Sequence, residues 1–339
     1  MNGTKIGSFS CPAAAEASRP PKKASAFTAW RAVGRDRRDL ILATFGAVMR
    51  FHRLVLLWAL VAISAMLPAM AQAQYTYTTN TGTITIETYT GSADVVTFPD
   101  TLDGLPVTRI QGYACCPGFC LSTNLTSVTI GTNVTSMDEP AFFACPTLTT
   151  IVVDPRNPCF SSADGVLYNK DKTILIQCPR GKTGTFVLPC NVTNIGESAF
   201  FACDRLSAIT VDPGNPCYSS VDGVLYNKKQ TALILCPMGR TGNCTIPNGV
   251  TNIADGAFYQ CANVTSVTIP DSVTSIGGRA FNQCMELKAV YFKGDAPTCG
   301  SDVFVSWDKP TIYYSSGNTG WGTTFGGRPT ALWDPRAQK

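Results

Sequence analysis

A nine-residue phrase occurs four times in this chain of 339 residues. Residues 137–145 read MDEPAFFAC, 195–203 read IGESAFFAC, 253–261 read IADGAFYQC and 276–284 read IGGRAFNQC. Each copy has an apolar residue, then Ala-Phe four and five positions later, then Cys three positions after that Phe. Self-similarity at fixed spacing is the signature of a stacked-repeat protein, so this feature constrains the fold more than any other.

The phrases recur with two periods. Phe258 and Phe281 are 23 residues apart, whereas Phe142, Phe200 and Phe258 follow one another at intervals of 58. The long unit is therefore a 23-residue unit with an insert of 58 − 23 = 35 residues. Each unit has one apolar stripe that it cannot bury alone, so stability must come from stacking on neighbouring units.

The 23-residue unit has the pattern of a strand, a turn and a short return segment. Val267 and Ile269 would share one face of the strand, with a Thr between them facing solvent. Residues 270–272, Pro-Asp-Ser, form a turn signal. The Ala-Phe spacing within 279–283 predicts a single helical or 3-10 turn.

The two inserts copy each other closely over 153–179 and 211–237. Both begin with Asp-Pro and Asn-Pro, which favour turns, and both carry an Asp-Gly pair, at 164–165 and at 222–223. The apolar runs after each Asp-Gly pair predict strand, turn, strand. We expect the inserts to form further, irregular coils of the same stack.

The N-terminal region has the layout of an export signal. Residues 54–67 are uncharged and apolar, follow two arginines and precede small-x-small cleavage sites. The run is short for a membrane span, so we expect cleavage after Ala73, the alternative being an uncleaved anchor. Translation could start at Met1 or at Met49; with the second start, 1–48 would not be part of the protein.

Charge and histidine content exclude several classes of function. The net charge of +4 comes from the first 74 residues, and subtraction leaves 17 basic and 20 acidic residues, about −3, in 75–339. Residues 75–339 therefore lack the excess of basic side chains that is typical of a nucleic-acid-binding surface. Its lack of histidine, since the chain's single one is His52, excludes Ser-His-Asp and Cys-His catalysis and His metal ligands. We predict no catalytic residue, no metal and no cofactor.

Fourteen cysteines follow the export signal, and they fall into two kinds. Cys159 with Cys178, and Cys217 with Cys236, are each 19 residues apart, which makes these four the candidate disulfide cysteines in an oxidising compartment. The phrase cysteines should instead point inward as buried thiols beside the phrase Phe residues. This predicted core ladder comprises Phe142, Cys145, Phe200, Cys203, Phe258, Cys261, Phe281 and Cys284.

A second aromatic residue follows the core Phe in three of the phrases. These residues are Phe143, Phe201 and Tyr259. They cannot point the same way as their neighbours, so they would form a row on the surface, where an apolar patch indicates a binding site. The alternative is that the inserts cover them.

The repeat units resemble a known family. Residues 246–267 and 269–290 are similar to the BspA-like bacterial leucine-rich repeat, and 80–110 and 320–333 resemble the opening and the tail of such proteins. The resemblance extends over about 75–334. It implies a curved, exported or surface-displayed solenoid; family members with assigned roles tend to be adhesins or host-interaction proteins, without shared catalytic residues.

The resulting fold class is a β-rich α/β solenoid. It is expected as a right-handed leucine-rich-repeat stack with a parallel sheet on one face and short helical or 3-10 turns on the other. The expected parts are an extension and signal peptide (1–73), an N-terminal β cap (74–104), the solenoid (105–292) and a C-terminal cap and tail (293–339).

The sequence favours an exported, non-enzymatic, adhesin-like protein. Its extended surface would bind proteins or polysaccharides, since repeats present broad faces rather than deep pockets. We expect a monomer without membrane insertion of the mature chain. The alternatives are a structural envelope or matrix protein without a discrete ligand and, more remotely, a carbohydrate-active enzyme that uses two carboxylates.

Overall fold

The computed structural model describes residues 8–10, 75–112, 124–142, 145–305 and 309–333. Every regular element in these ranges is a β-strand, and they contain no helix long and apolar enough to cross a membrane. In chain order, the strands are β1 (Ser8–Ser10), β2 (Tyr75–Asn80), β3 (Thr83–Tyr89), β4 (Val95–Thr97), β5 (Thr101–Leu102), β6 (Leu105–Ile110), β7 (Ser127–Ile130), β8 (Ser136–Asp138), β9 (Thr150–Val153), β10 (Phe160–Ala163), β11 (Val166–Asn169), β12 (Ile174–Gln177), β13 (Gly184–Leu188), β14 (Asn194–Ile195), β15 (Leu206–Val211), β16 (Tyr218–Val221), β17 (Val224–Asn227), β18 (Ala232–Leu235), β19 (Gly242–Thr245), β20 (Asn252–Ile253), β21 (Val264–Ile269), β22 (Ser275–Ile276), β23 (Ala289–Phe292), β24 (Thr298–Cys299), β25 (Thr311–Ser315), β26 (Thr324–Phe325) and β27 (Arg328–Trp333).

The longer strands of successive units stack in parallel, and we call this the long-strand face. It consists of β4–β7–β9, β13–β15 and β19–β21–β23–β25–β27. Equivalent apolar positions pair in register: Val267 pairs with Val290, which pairs with Ile312, and all three are fully buried. The repeated Val-x-Ile pattern therefore becomes a continuous apolar seam, because each coil buries the stripe of the coil before it.

A second set of parallel strands, the short-strand face, was not predicted. It consists of β3–β6–β8, β12–β14 and β18–β20–β22–β24. The stack is interrupted twice, because β8 is not paired with β10 and β14 is not paired with β16. Both interruptions lie where an insert enters.

Each insert forms an antiparallel hairpin that then joins the short-strand face. β10, β11 and β12 pair in order, as do β16, β17 and β18, which confirms the predicted strand–turn–strand and adds one strand to it. The Asp-Gly pair joins β10 to β11 and β16 to β17, with φ of 50° and 76° at Asp164 and Gly165 and 50° and 73° at Asp222 and Gly223. Two successive positive φ values define the type I′ turn, whose twist suits a two-residue hairpin.

The prediction of helical or 3-10 turns in the Ala-Phe segments is wrong, and so is the α/β fold class. The N–H of Gly256 donates to the carbonyl of Gly278 (2.9 Å), and that of Phe258 donates to Ala280 (2.7 Å). Alternate amides thus bond to the next coil, and those between them make isolated bonds three residues back, as Tyr259 does to Gly256 (2.8 Å). Arg279 also adopts a φ of 55°. A helix or 3-10 helix needs such bonds from successive amides and a right-handed φ throughout, so the fold is an all-β solenoid.

The interior contains all eight residues of the predicted ladder, each no more than 6% exposed. Phe258 and Phe281 stack with ring centroids 4.9 Å apart, and Phe281 stacks on Phe304 at 5.5 Å. Phe304, 23 residues after Phe281, extends the ladder by one coil that the Ala-Phe-Cys phrase does not mark.

The two ends of the described chain carry extra pairings. Of the predicted extension and signal peptide, the structure describes only β1, which pairs antiparallel with β8; the apolar run at 54–67 lies outside the described residues. At the C-terminal end, the ring of Trp321 stacks on Tyr314 (5.1 Å) and lies 4.8 Å from Phe292. These aromatics cover the apolar side of the last coils.

Candidate functional site

The second interruption of the short-strand face opens a groove of about 630 Å³. On one side lies the coil that contains β14, and on the other side lies the coil that contains β20. The hairpin of the second insert, β16–β17–β18, lies between them. The groove exists because the hairpin separates two coils whose short strands would otherwise pair.

The groove has an apolar floor and apolar walls. Phe200, Leu225 and Met238 are buried and form the floor. The walls are half-buried side chains: Ile195, Phe201, Tyr218, Ile234, Leu235 and Tyr259.

Tyr218 is the wall residue with the clearest polar attachment. Its hydroxyl donates a 3.5 Å hydrogen bond to the carbonyl of Thr193. Burial, followed by the nearby Cys217 thiol, raises the pKa of the Tyr218 phenol above its ordinary value. The ring is therefore a neutral, partly desolvated surface at neutral pH.

Three exposed charged residues form the rim of the groove. They are Glu197, Asp255 and Arg279. Asp255 Oδ1 accepts a 2.6 Å hydrogen bond from the N–H of Gly278, which holds that carboxylate in place. Arg279 and Tyr259 also line an adjacent, more polar depression of about 480 Å³, so the rim continues toward the next coil.

At the equivalent place in the first insert, the described residues are buried. Phe160, Ile176 and Gln177 stand at the positions of Tyr218, Ile234 and Leu235, and they are only 2–3% exposed. The side-chain carbonyl of Gln177 accepts a hydrogen bond from the N–H of Phe142 (3.4 Å). An amide that reaches the neighbouring coil fills the first site, whereas Leu235 has no group that could make this bond.

The structure describes two of the three surface aromatics predicted as a binding row. Phe201 and Tyr259 are half-buried and line the same groove. Phe143 lies outside the described residues. The second insert thus stands beside these two rings without covering them completely.

The structure does not bring together the cysteines that the 19-residue spacing predicted as disulfide pairs. Cys159 precedes β10 and Cys178 follows β12, and these two strands lie on opposite sides of β11. Two interstrand spacings total about 9.5 Å, beyond the ~7 Å Cα separation that a disulfide can bridge. The same strand order separates Cys217 from Cys236 across β17.

Glu139 has the most strongly perturbed carboxyl group outside the groove. Burial, and then the negative charge of Glu197, raise the pKa of Glu139 to about 7. Its Oε1 atom is buried without a hydrogen-bond partner among the described residues. Within those residues, no group of three or more His, Cys, Asp or Glu side chains is arranged to hold a metal ion.

Sequence reasoning missed most of the groove. Tyr218, Ile234, Leu235 and Met238 belong to the insert, whose apolar residues we assigned only to strands. A position-by-position comparison of the two inserts could have found them, since Gln177 is replaced by Leu235 and a charged Arg by Met238. Such replacements within an otherwise copied segment mark where the two sites diverge.

The fold and groove define a class, the solenoid of stacked repeats with an open site between coils. Within that class, the family model described as the BspA type leucine rich repeat region matches residues 178–221 and 239–323, in six copies. These residues have the repeats of the BspA-type leucine-rich-repeat family, which confirms the resemblance seen in the sequence. No curated protein matches the chain.

Solved bacterial structures resemble the chain at low sequence identity. A leucine-rich cell surface protein from Faecalibacterium prausnitzii is 24% identical, with a TM-score of 0.35, covering 78% of this chain and 94% of its own. A leucine-rich repeat protein from Eubacterium ventriosum is 20% identical, with a TM-score of 0.37, and the match covers 70% of this chain and 75% of that protein. The pneumococcal vaccine antigen PcpA is 14% identical, with a TM-score of 0.37, and the match covers 71% of this chain and 85% of that protein.

Proposed function

We propose that this protein is an exported, surface-displayed binding protein whose ligand docks in the groove beside the second insert. The observation that carries the proposal is the contrast between the two inserts. One copy of a duplicated segment is closed by Gln177, and the other leaves an apolar groove open beside Leu235. Open apolar surface in a soluble fold is costly unless a ligand covers it.

The chemistry of the groove favours a protein ligand. Its walls combine aliphatic Ile195, Ile234 and Leu235 with aromatic rings, and such a surface accommodates apolar side chains. The rim has two carboxylates, of Glu197 and Asp255, against one guanidinium. A complementary ligand segment would therefore present apolar side chains next to a basic one.

The proposed role is binding without catalysis. Glu197 and Asp255 are the carboxylates of the groove, and both are exposed to solvent at its rim. A general acid at neutral pH needs a carboxyl group that is shielded from water, which neither position provides. The apolar run at 54–67 with its cleavage sites, together with the match to the BspA-type repeats, supports the proposed export and display at the cell surface.

Closing the groove tests the proposal. Leu235→Gln gives the second insert the residue that closes the first, so we expect the new amide to occupy the groove. The full chain, wild type and variant, is titrated against panels of immobilised extracellular-matrix proteins and polysaccharides. We expect saturable binding to a protein, weakened at least about tenfold, or ~1.4 kcal/mol, in the variant.

Val187→Gln is the matched control, because it makes the same kind of change at a side chain that is 58% exposed on β13, away from the groove. Binding should be unaffected by this control. Binding only to a polysaccharide would contradict the choice of ligand, and equal binding by wild type and Leu235→Gln would contradict the site. Absence of binding to every member of both panels would favour a structural envelope role.

A further inference from the structure

Buried cysteine thiols from neighbouring coils meet beside the first insert. The thiol of Cys203 is in hydrogen-bond contact with the thiol of Cys178, and its Sγ lies 3.6 Å from the carbonyl oxygen of Cys178. Both Sγ atoms lie 3.9 Å from the carbonyl oxygen of Pro179, so the two side chains converge on one point. Both residues are 1% exposed.

The same arrangement recurs 58 residues later. Cys261 Sγ lies 3.5 Å from the carbonyl oxygen of Cys236 and 3.7 Å from that of Pro237, and Cys236 Sγ lies 3.9 Å from the latter. The Cys236 thiol contacts the Cys261 thiol and also that of Cys244. In the first unit, Phe186 stands at the position of Cys244. The cysteine pair that occurs in both units is therefore the one that joins two coils.

Backbone hydrogen bonds join the two coils that carry each pair. The N–H of Cys178 donates to the carbonyl of Ala199 and the N–H of Cys236 to that of Ala257, both at 2.7 Å. Cys203 and Cys261 lie four residues beyond those carbonyls, and their Sγ atoms reach the carbonyl oxygens of Cys178 and Cys236 at 3.6 Å and 3.5 Å. A bond within each pair would therefore join side chains of coils that are already hydrogen-bonded to each other.

We propose that Cys178 and Cys203, and likewise Cys236 and Cys261, form disulfides that join adjacent coils of the exported protein. In each pair, two S–H bonds break and one S–S bond forms. The two electrons and two protons pass to a thiol-oxidising disulfide, which is itself reduced to two thiols. A disulfide oxidant of the export compartment supplies this role in the cell, and oxidised glutathione supplies it in the test tube.

The repeat supports the assignment at the level of the sequence. Each pair is separated by 25 residues, and Cys120 and Cys145 show the same spacing a third time. Cys120 lies outside the described residues and has no part in the proposal.

The thiols must react before the coils close. The contact with Cys178, together with burial, raises the pKa of Cys203, and burial foremost raises that of Cys236. Since the thiolate is the reactive form, both groups are poor nucleophiles in the folded protein. Oxidation during refolding is therefore expected to succeed, whereas treatment of the reduced, folded protein is expected to leave the four thiols unchanged.

Peptide mapping provides the test. The full chain is refolded with reduced and oxidised glutathione and then denatured in guanidinium chloride with N-ethylmaleimide at pH 6.5, so that buried free thiols are also blocked, and the protein is digested without reduction. Trypsin releases Cys178 in 173–180 and Cys236 in 230–240, and additional cleavage before Asp255 separates Cys244 from Cys261. We expect 173–180 linked to the peptide of Cys203, and 230–240 linked to the peptide of Cys261.

Single variants identify the partners. Cys203→Ser should leave Cys178 blocked by maleimide, and Cys261→Ser should leave Cys236 either blocked or linked to Cys244. Cys190→Ser, which removes an exposed thiol from the tryptic peptide that carries Cys203, should leave both links intact. The proposal is overturned if the refolded wild type has Cys178 and Cys236 blocked, or if either is linked to Cys159 or Cys217. A Cys236–Cys244 link in the wild type overturns the second pair.

Discussion

At the scale of single residues, the repeat produces a row of acidic side chains with unequal surroundings. Glu139, Glu197 and Asp255 occupy the same position of three phrases. Glu197 and Asp255 are exposed, whereas Glu139 is half-buried. A position that recurs in the sequence therefore need not have the same chemistry in each coil, because the neighbouring insert decides how much water reaches it.

The raised pKa of Glu139 predicts a pH-dependent stability. A carboxyl group whose folded pKa of about 7 exceeds its unfolded value near 4.5 stabilises the fold fully below pH 4.5, and this contribution is lost as the pH rises through 7. Glu139→Gln remains neutral throughout, so above pH 7 it should be more stable than wild type by about 1–2 kcal/mol, allowing for solvent screening at a half-buried site. Urea unfolding at pH 5 and pH 8 measures the difference.

Glu286→Gln serves as the control, because Glu286 is exposed. Its stability should follow the wild-type pH dependence. If Glu139→Gln shows the same change between pH 5 and pH 8 as the wild type, Glu139 is not the group responsible.

At the scale of elements, each insert is attached to the stack by one fully buried asparagine. The side-chain N–H₂ of Asn215 donates to the carbonyls of Pro189 and Val192, both at 2.8 Å. Its oxygen accepts from the N–H of Cys217 (2.9 Å) and of Tyr218 (2.8 Å). All the hydrogen-bonding capacity of one side chain thus joins the hairpin to the preceding coil and positions a groove wall. Asn157 makes the equivalent four bonds in the first insert.

Removing this attachment should destabilise the molecule. Asn215→Ala removes four hydrogen bonds from the interior, so we expect the free energy of unfolding to fall by about 2–4 kcal/mol. Asn191→Ala is the control, since it removes one exposed hydrogen bond to the Lys172 carbonyl, and should change stability by no more than ~0.5 kcal/mol. Equal effects of the two variants, measured by urea unfolding, would show that the asparagine does not hold the insert.

The sequence predicted some elements better than others. Strands such as β21 and the hairpin turn at Asp164-Gly165 follow from local patterns, alternation and two positive-φ residues, so they could be recognised. The role of Asn215 could not, because Asn-Pro is read as a turn former whether its side chain faces solvent or the interior. Burial of that side chain depends on the preceding coil, more than 20 residues away.

At the scale of the whole molecule, the stack decides what each local segment becomes. The Ala-Phe segments have a spacing compatible with one helical turn, but the neighbouring coil offers carbonyls at the distance of a β ladder. The N–H of Phe281 donates to Val303 (3.0 Å), as that of Phe258 does to Ala280. A segment too short for a stable helix therefore gains more from bonding to its neighbour. The same proximity of coils produces the converging thiols and, where a hairpin intervenes, the groove.

In the Ala-Phe segments at 253–261 and 276–284, alternate amides donate to the next coil, and amides between them donate within the segment, as Tyr259 does to Gly256 (2.8 Å). Scalar couplings across hydrogen bonds, measured by NMR on the deuterated protein, identify the carbonyl that accepts from each amide. We predict that the amide of Phe258 couples to the carbonyl of Ala280 and the amide of Phe281 to that of Val303. Couplings from these two amides to carbonyls three or four residues earlier in their own segments would contradict the bonding between coils.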